Sequence, residues 1–225
     1  FSTQSSSDHL PIPEDEIQTL PPFVGYPVRG DFHEVEPFDI TLDDELLEGP
    51  RDFSVRRADL MLYSAESRED SSNTPTASDH NTPEDTYFKR YEIKGKKTKT
   101  PHQFLLHSEL LGTFEVQTKK GPTHLLSPST QGIFLDLAPD LGEEASQNIF
   151  SCYSVSAEKH KSTISLTDFF GEKLFGIRKL RKICLPAEIE TPDRNITNPN
   201  EKEVLGCFDA KTDPPFRKII NTHTI

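Results

Sequence analysis

One pattern in this chain recurs in the same order, and it limits the fold more than any other feature. Its fullest form runs from Ile149 to Ala187 as four short apolar runs. They are Phe150-Ser151-Cys152-Tyr153-Ser154-Val155, then Ile164-Ser165-Leu166 leading to Asp168-Phe169-Phe170-Gly171, then Leu174-Phe175-Gly176-Ile177, then Ile183-Cys184-Leu185-Pro186. Each is short, aromatic or β-branched, and bounded by turn formers, so each predicts a strand. Upstream, Phe88 to Ile93, Glu109-Leu110-Leu111-Gly112, Phe114-Glu115-Val116 and Leu125-Leu126-Ser127-Pro128 repeat the series. Further upstream, Val24 to Val28, Glu45-Leu46-Leu47-Glu48-Gly49, Phe53-Ser54-Val55 and Met61-Leu62-Tyr63-Ser64 repeat it again. Leu205 to Ala210 opens a further copy. The anchor aromatics Tyr26, Tyr91, Tyr153 and Phe208 are spaced by 65, 62 and 55 residues. Self-similarity of this kind is read before any single motif.

The expected fold is therefore all-β, as tandem units of about four strands each, sandwich- or barrel-like. The organisation reads as a polar arm over 1–21, repeat 1 over 22–65 and an acidic linker over 66–86. Repeat 2 follows over 87–130, a linker over 131–148, repeat 3 over 149–187, a linker over 188–203 and a half repeat over 204–225. The linkers are long for loops inside a compact domain, which favours serial modules over closure about a common axis. Eighteen Pro against eleven Gly suits extended segments and stiff loops better than helices.

A net charge of −12 argues against a nucleic-acid partner, which needs a basic face. No run has the length of a membrane-spanning helix. The chain begins at Phe1, as a processed mature protein or an internal fragment does.

Cys152 and Cys207 hold one repeat position, where Gly25 and Arg90 stand in the first two copies. Cys184 holds the position of Leu62 and Leu126. Both cysteine positions are lost together in copies one and two, as a disulfide within each copy would require. That gives Cys152–Cys184. The rival is Cys184–Cys207 across the linker, with buried free thiols as a third possibility. Either bridge implies an oxidising compartment.

The third copy resembles a family of secreted microbial repeat domains of unknown function. Those domains read, approximately, His-aromatic-x-Cys-Tyr-x-Val, then Asp-Gln-Phe-Gly, then Leu-Cys-x-Pro. The matching residues are Cys152-Tyr153-Ser154-Val155, Asp168-Phe169-Phe170-Gly171 and Cys184-Leu185-Pro186. The resemblance extends over 149–225 and is degenerate over 22–130. It implies secretion and tandem β modules, and no catalytic residue.

The recurring acids Glu45, Glu109 and Asp168 are expected to accept hydrogen bonds from turn amides rather than to ligate calcium. Asn195-Ile196-Thr197 is a glycosylation sequon, and Arg29-Gly30-Asp31 is a weak adhesion tripeptide. No nucleophile elbow, zinc-protease helix or phosphate loop is present, so no enzyme, metal or cofactor is expected. Phe216, Ile219, Ile220 and Ile225 lie in the unfinished copy, whose open strand wants a partner. The expected role is an extracellular structural protein that assembles with other copies of itself. The alternative is a secreted monomeric binding module for glycan or protein.

Overall fold

The computed structural model describes residues 22–27, 37–68, 87–96, 100–108, 112–129, 149–168, 170–191, 194–196 and 204–212. Their strands are β1 (Phe23–Pro27), β2 (Phe38–Asp44), β3 (Arg51–Ser64), β4 (Glu66–Arg68), β5 (Tyr87–Gly95) and β6 (Gln103–Ser108). They continue as β7 (Gly112–Ser129), β8 (Phe150–Ala157), β9 (Lys159–Asp168), β10 (Gly171–Thr191), β11 (Arg194–Ile196) and β12 (Leu205–Thr212). All twelve belong to one antiparallel sheet. The fold is all-β.

The third and fourth apolar runs of each segment are not separate strands. They fuse into the long strands β3, β7 and β10, of 14, 18 and 21 residues. The residues joining the runs explain this. Arg56 to Leu60 and Arg178 to Lys182 contain no Gly or Pro, so nothing stops the strand. In β7 the joint is Gly121-Pro122, and Gly121 takes a left-handed φ of 48°. The pairing register shifts at each joint: at Val55/Ala58, at Thr118/Pro122 and at Ile177/Lys179. Such irregularities bend a strand and change its neighbours.

Corresponding strands pair in corresponding ways. The first halves of the long strands form hairpins, β3 with β2, β7 with β6 and β10 with β9. The later halves each lie between two short strands. β3 lies between β1 and β5, β7 between β5 and β8, and β10 between β8 and β12. The linker lengths pointed to serial modules, but the sheet runs on from segment to segment. It also returns on itself, because β2 pairs with β10 as well as with β3, and β4 pairs with β9. Residues 66–68 and 194–196, in stretches read as linkers, are paired strands.

The core explains the continuity. Three residues before each anchor aromatic stand Phe23, Phe88, Phe150 and Leu205. These four gather in one cluster with Leu62, Leu126, Cys152 and Cys184. The rings of Phe23 and Phe88 meet edge to face at 5.3 Å, and those of Phe88 and Phe150 at 5.8 Å. An odd offset puts the anchors on the opposite face. There Tyr91 packs with Ile40, Leu42 and Leu47, and Tyr153 with Val116 and Leu180. Both faces of β5 and β8 are therefore buried by residues of other segments.

Candidate functional site

Two residues before Leu62, Leu126 and Cys184 stand Leu60, His124 and Lys182. Strand alternation puts each on the same face as its apolar neighbour. The position before each anchor aromatic holds Gly25, Arg90, Cys152 and Cys207, on the face of Phe23, Phe88, Phe150 and Leu205. Where the first segment has Gly25 and Leu60, the later ones therefore carry Arg90, His124, Lys182 and two cysteines. With Asp59 these residues form a half-buried polar cluster supplied by β3, β5, β7, β8, β10 and β12.

Arg90 clamps Asp59 with two bonds, Nε to Oδ1 at 2.8 Å and Nη2 to Oδ2 at 2.7 Å. His124 Nε2 lies 3.4 Å from the same carboxylate. Lys182 Nζ donates to His124 Nδ1 at 3.0 Å, to Thr123 Oγ1 at 3.2 Å and to Ser154 Oγ at 3.4 Å. Nδ1 thus faces Lys182 and Thr123, and Nε2 faces Asp59. Burial pushes the Asp59 carboxyl up, but hydrogen bonds from His124 and Arg90 and the Arg90 charge hold it well below the usual range. Burial and then the Arg90 charge push the Lys182 ammonium down. None of its three acceptors is a carboxylate.

Asp59, Glu92 and His124 offer ligand atoms within 4.8 Å of one another. These atoms already serve other partners. Arg90 and His124 hold Asp59, Lys182 occupies His124 Nδ1, and Arg57 reaches Glu92 at 3.0 Å. Two guanidinium groups and an ammonium crowd the spot, so the donor set reads as an ion-pair network rather than a metal centre.

Beside this cluster the three cysteines meet. Cys184 stands opposite Cys152 in the β8–β10 ladder, and the two are bonded, with an S–S distance of 1.99 Å. Of the pairings left open by the sequence, the one within the segment forms. On the other flank of β10, Cys207 faces Lys182, and its thiol lies 3.8 Å from Cys184 Sγ. Cys207 is the free cysteine and is partly exposed. Burial of the thiol pushes its pKa up, while the Arg90 and Lys182 charges pull the other way. A disulfide of this kind persists in oxidising surroundings.

The turn acids act as braces. Asp168 Oδ1 accepts from the Phe170 amide at 2.8 Å, and its other oxygen accepts from the Tyr26 hydroxyl. Lys173 Nζ lies 3.4 Å from Asp168 and over the rings of Tyr26 and Phe170. In the first segment this role falls to Asp44, whereas Glu45 is exposed. Asp44 accepts from the amides of Leu46 and Leu47 at 2.8 and 3.0 Å, and from the hydroxyls of Ser151 and Tyr153. Glu109 lies outside the described residues.

Asn195 is exposed on β11, opposite Glu190. Phe216, Ile219, Ile220 and Ile225, and the Arg29-Gly30-Asp31 tripeptide, lie outside the described residues. Among those described, no helix is long and apolar enough to cross a membrane. Comparisons of the chain with family models, with curated proteins and with solved structures find no match in any of the three. Fold and site together define an all-β protein with one antiparallel sheet, a cross-strand disulfide and a cationic cluster beside it.

Proposed function

We propose that this chain is an extracellular structural protein of tandem β repeats that assembles with further copies of itself. One observation carries the reading. The ladder between β10 and β12 reproduces those between β3 and β5 and between β7 and β8, so each unit is completed by the first strand of the next. An array built this way extends by adding strands. Among the described residues β1, β4, β6, β11 and β12 each pair with one strand. Of these, β1 and β12 stand at the two ends of the series of corresponding ladders, and we assign them as the edges that receive another strand. Joining such edges head to tail makes an open filament rather than a closed dimer.

Three features support the extracellular setting. They are the Cys152–Cys184 bridge, the resemblance to secreted microbial repeat domains, and exposed Asn195 as a carbohydrate acceptor. The assembly contact is assigned to Phe216, Ile219, Ile220 and Ile225. A secreted monomeric module binding glycan or protein is the second reading. It is favoured by the partly exposed aromatic group of Tyr26, Tyr63 and Phe170.

Light scattering and negative-stain microscopy test the choice, on the whole chain and on one ending at Thr212. Filaments from the whole chain and monomers from the shortened one support assembly. Monomers from both, across a range of concentrations, reject it in favour of the binding module.

A further inference from the structure

Cys184 stands between two cysteines that share one repeat position. Cys152 belongs to the first strand of its own segment, on one flank of β10. Cys207 belongs to the first strand of the next, on the other flank. One bridge and one thiol are therefore packed together, with Cys207 Sγ in van der Waals contact with Cys184 Sγ at 3.8 Å. We propose that Cys152, Cys184 and Cys207 form a thiol–disulfide exchange site. In it, Cys184 passes between Cys152 and Cys207 and moves the covalent staple from within one unit to the boundary with the next.

The step balances without an outside oxidant or reductant. Cys207 gives up its proton to water, and its thiolate attacks Cys184 Sγ. The Cys207–Cys184 bond forms as the Cys184–Cys152 bond breaks. Cys152 leaves as the thiolate and takes up one proton, which balances the one that Cys207 gave up. One disulfide and one thiol stand on each side. Exchange of this kind needs an in-contact nucleophile and a thiolate fraction, and its rate follows both.

The surroundings supply the charge. Lys182 lies directly across the ladder from Cys207, and Arg90 approaches from β5. A thiolate at Cys207 would give the Lys182 ammonium the anionic partner that Thr123, His124 and Ser154 do not provide. Asp59, Glu92 and His124 stand behind these cations, and Asp59 already neutralises Arg90. Burial of the thiol opposes ionisation, so exchange is slow near neutrality and quickens with alkali.

The consequence is mechanical. In the Cys152–Cys184 form β8 is tied covalently to β10. There β12 is held without a covalent link, by its backbone ladder, the Arg181–Asp209 ion pair and the packing of Leu205 and Phe208. In the Cys184–Cys207 form β12 is tied to β10 instead. An array whose units join through such strands gains a covalent link at the joint. This inference rests on the cysteine geometry and not on assembly. Its test reads bond connectivity in the single chain, so either idea can fail alone.

The whole chain, purified without reductant, is incubated at pH 6 and at pH 8.5. It is then quenched with acid, alkylated and digested under non-reducing conditions for mass spectrometry. Trypsin separates the three cysteines onto three peptides. Both the Cys152–Cys184 and the Cys184–Cys207 pair are expected, with alkylated Cys152 appearing in step with the second. The approach to a constant ratio should quicken about tenfold per pH unit while the thiol stays mostly protonated. It should not depend on protein concentration. Cys152→Ser should form Cys184–Cys207 in a glutathione redox buffer, and Cys207→Ser should hold the other bridge alone. The proposal is overturned if the unsubstituted chain keeps a single pairing at both pH values. It is also overturned if the second pairing appears at a rate that scales with concentration.

Discussion

Tyr153 donates its hydroxyl to Asp44 at 2.8 Å, joining two side chains 109 residues apart. The same carboxylate holds the turn amides of Leu46 and Leu47. One acid thus shapes the β2–β3 turn and pins it to β8. Tyr153→Phe keeps the ring and removes the bond, at an expected cost of about 1–2 kcal/mol. Asp44→Ala leaves the buried hydroxyls of Ser151 and Tyr153 and two turn amides without their acceptor and should cost about 3 kcal/mol or more. Urea unfolding followed by circular dichroism measures both. Equal costs would show that the turn amides do not need the carboxylate.

Two acids should oppose each other in pH dependence. Burial lifts the Asp44 carboxyl above its ordinary value of 3.8, an effect only partly offset by its hydrogen bonds. A group raised on folding binds protons more tightly in the native state, so its share of stability falls as pH rises through the region just above 3.8. Asp59 is held below 3.8 despite burial, by bonds from His124 and Arg90. Its share is present above that pH and lost as acid is added. Unfolding at pH 3 and pH 6 should therefore show Asp59→Asn weakening the protein most at pH 6. Asp44→Asn should lose less at pH 6 than at pH 3, relative to the unsubstituted chain. The reverse order would overturn both assignments.

Gly95 and Gly25 should respond differently to Ala. A methyl at Gly95 would sit 2.4 Å from the Phe53 ring and 2.7 Å from the Asp52 carbonyl oxygen, a backbone atom that cannot yield cheaply. Gly95→Ala is expected to cost about 1–3 kcal/mol. At Gly25 the methyl meets Leu60 Cδ2 at 2.7 Å, the far end of a side chain that can turn away. Gly25→Ala should cost less than about 1 kcal/mol. Melting temperatures of the two variants decide it.

The strands and hairpins were legible because apolar alternation and turn residues are local. Gly112 and Gly171, with φ of 85° and 100°, stand where the acid-apolar-apolar-Gly series put a turn. The first turn was read one residue off, at Glu45 instead of Asp44. It has five steps from acid to Gly49, against three from Asp168 to Gly171, and the alignment slid. The joining of segments into one sheet was not legible, because alternation tells which side chains share a face and not which strand lies beside them. The polar cluster was missed for a related reason. Asp59, Arg90, His124 and Lys182 are far apart in sequence and converge only through four ladders. A signal was present in the repeat itself. His124 and Lys182 replace Leu60, and Arg90 replaces Gly25, at positions that alternation makes inward-facing.

The central claim is that corresponding segments share one sheet and that each core cluster is built from more than one segment. Amide hydrogen exchange on Phe88→Ala tests it most directly. Phe88 is fully buried between Phe23 and Phe150, so truncation should cost about 3–5 kcal/mol. If the core is shared, protection falls by a common factor of more than about a hundred in β3, β5, β7, β8 and β10 alike. If β8, β9 and β10 keep their original protection while β5 and β7 lose theirs, the segments are separate modules and the account is wrong.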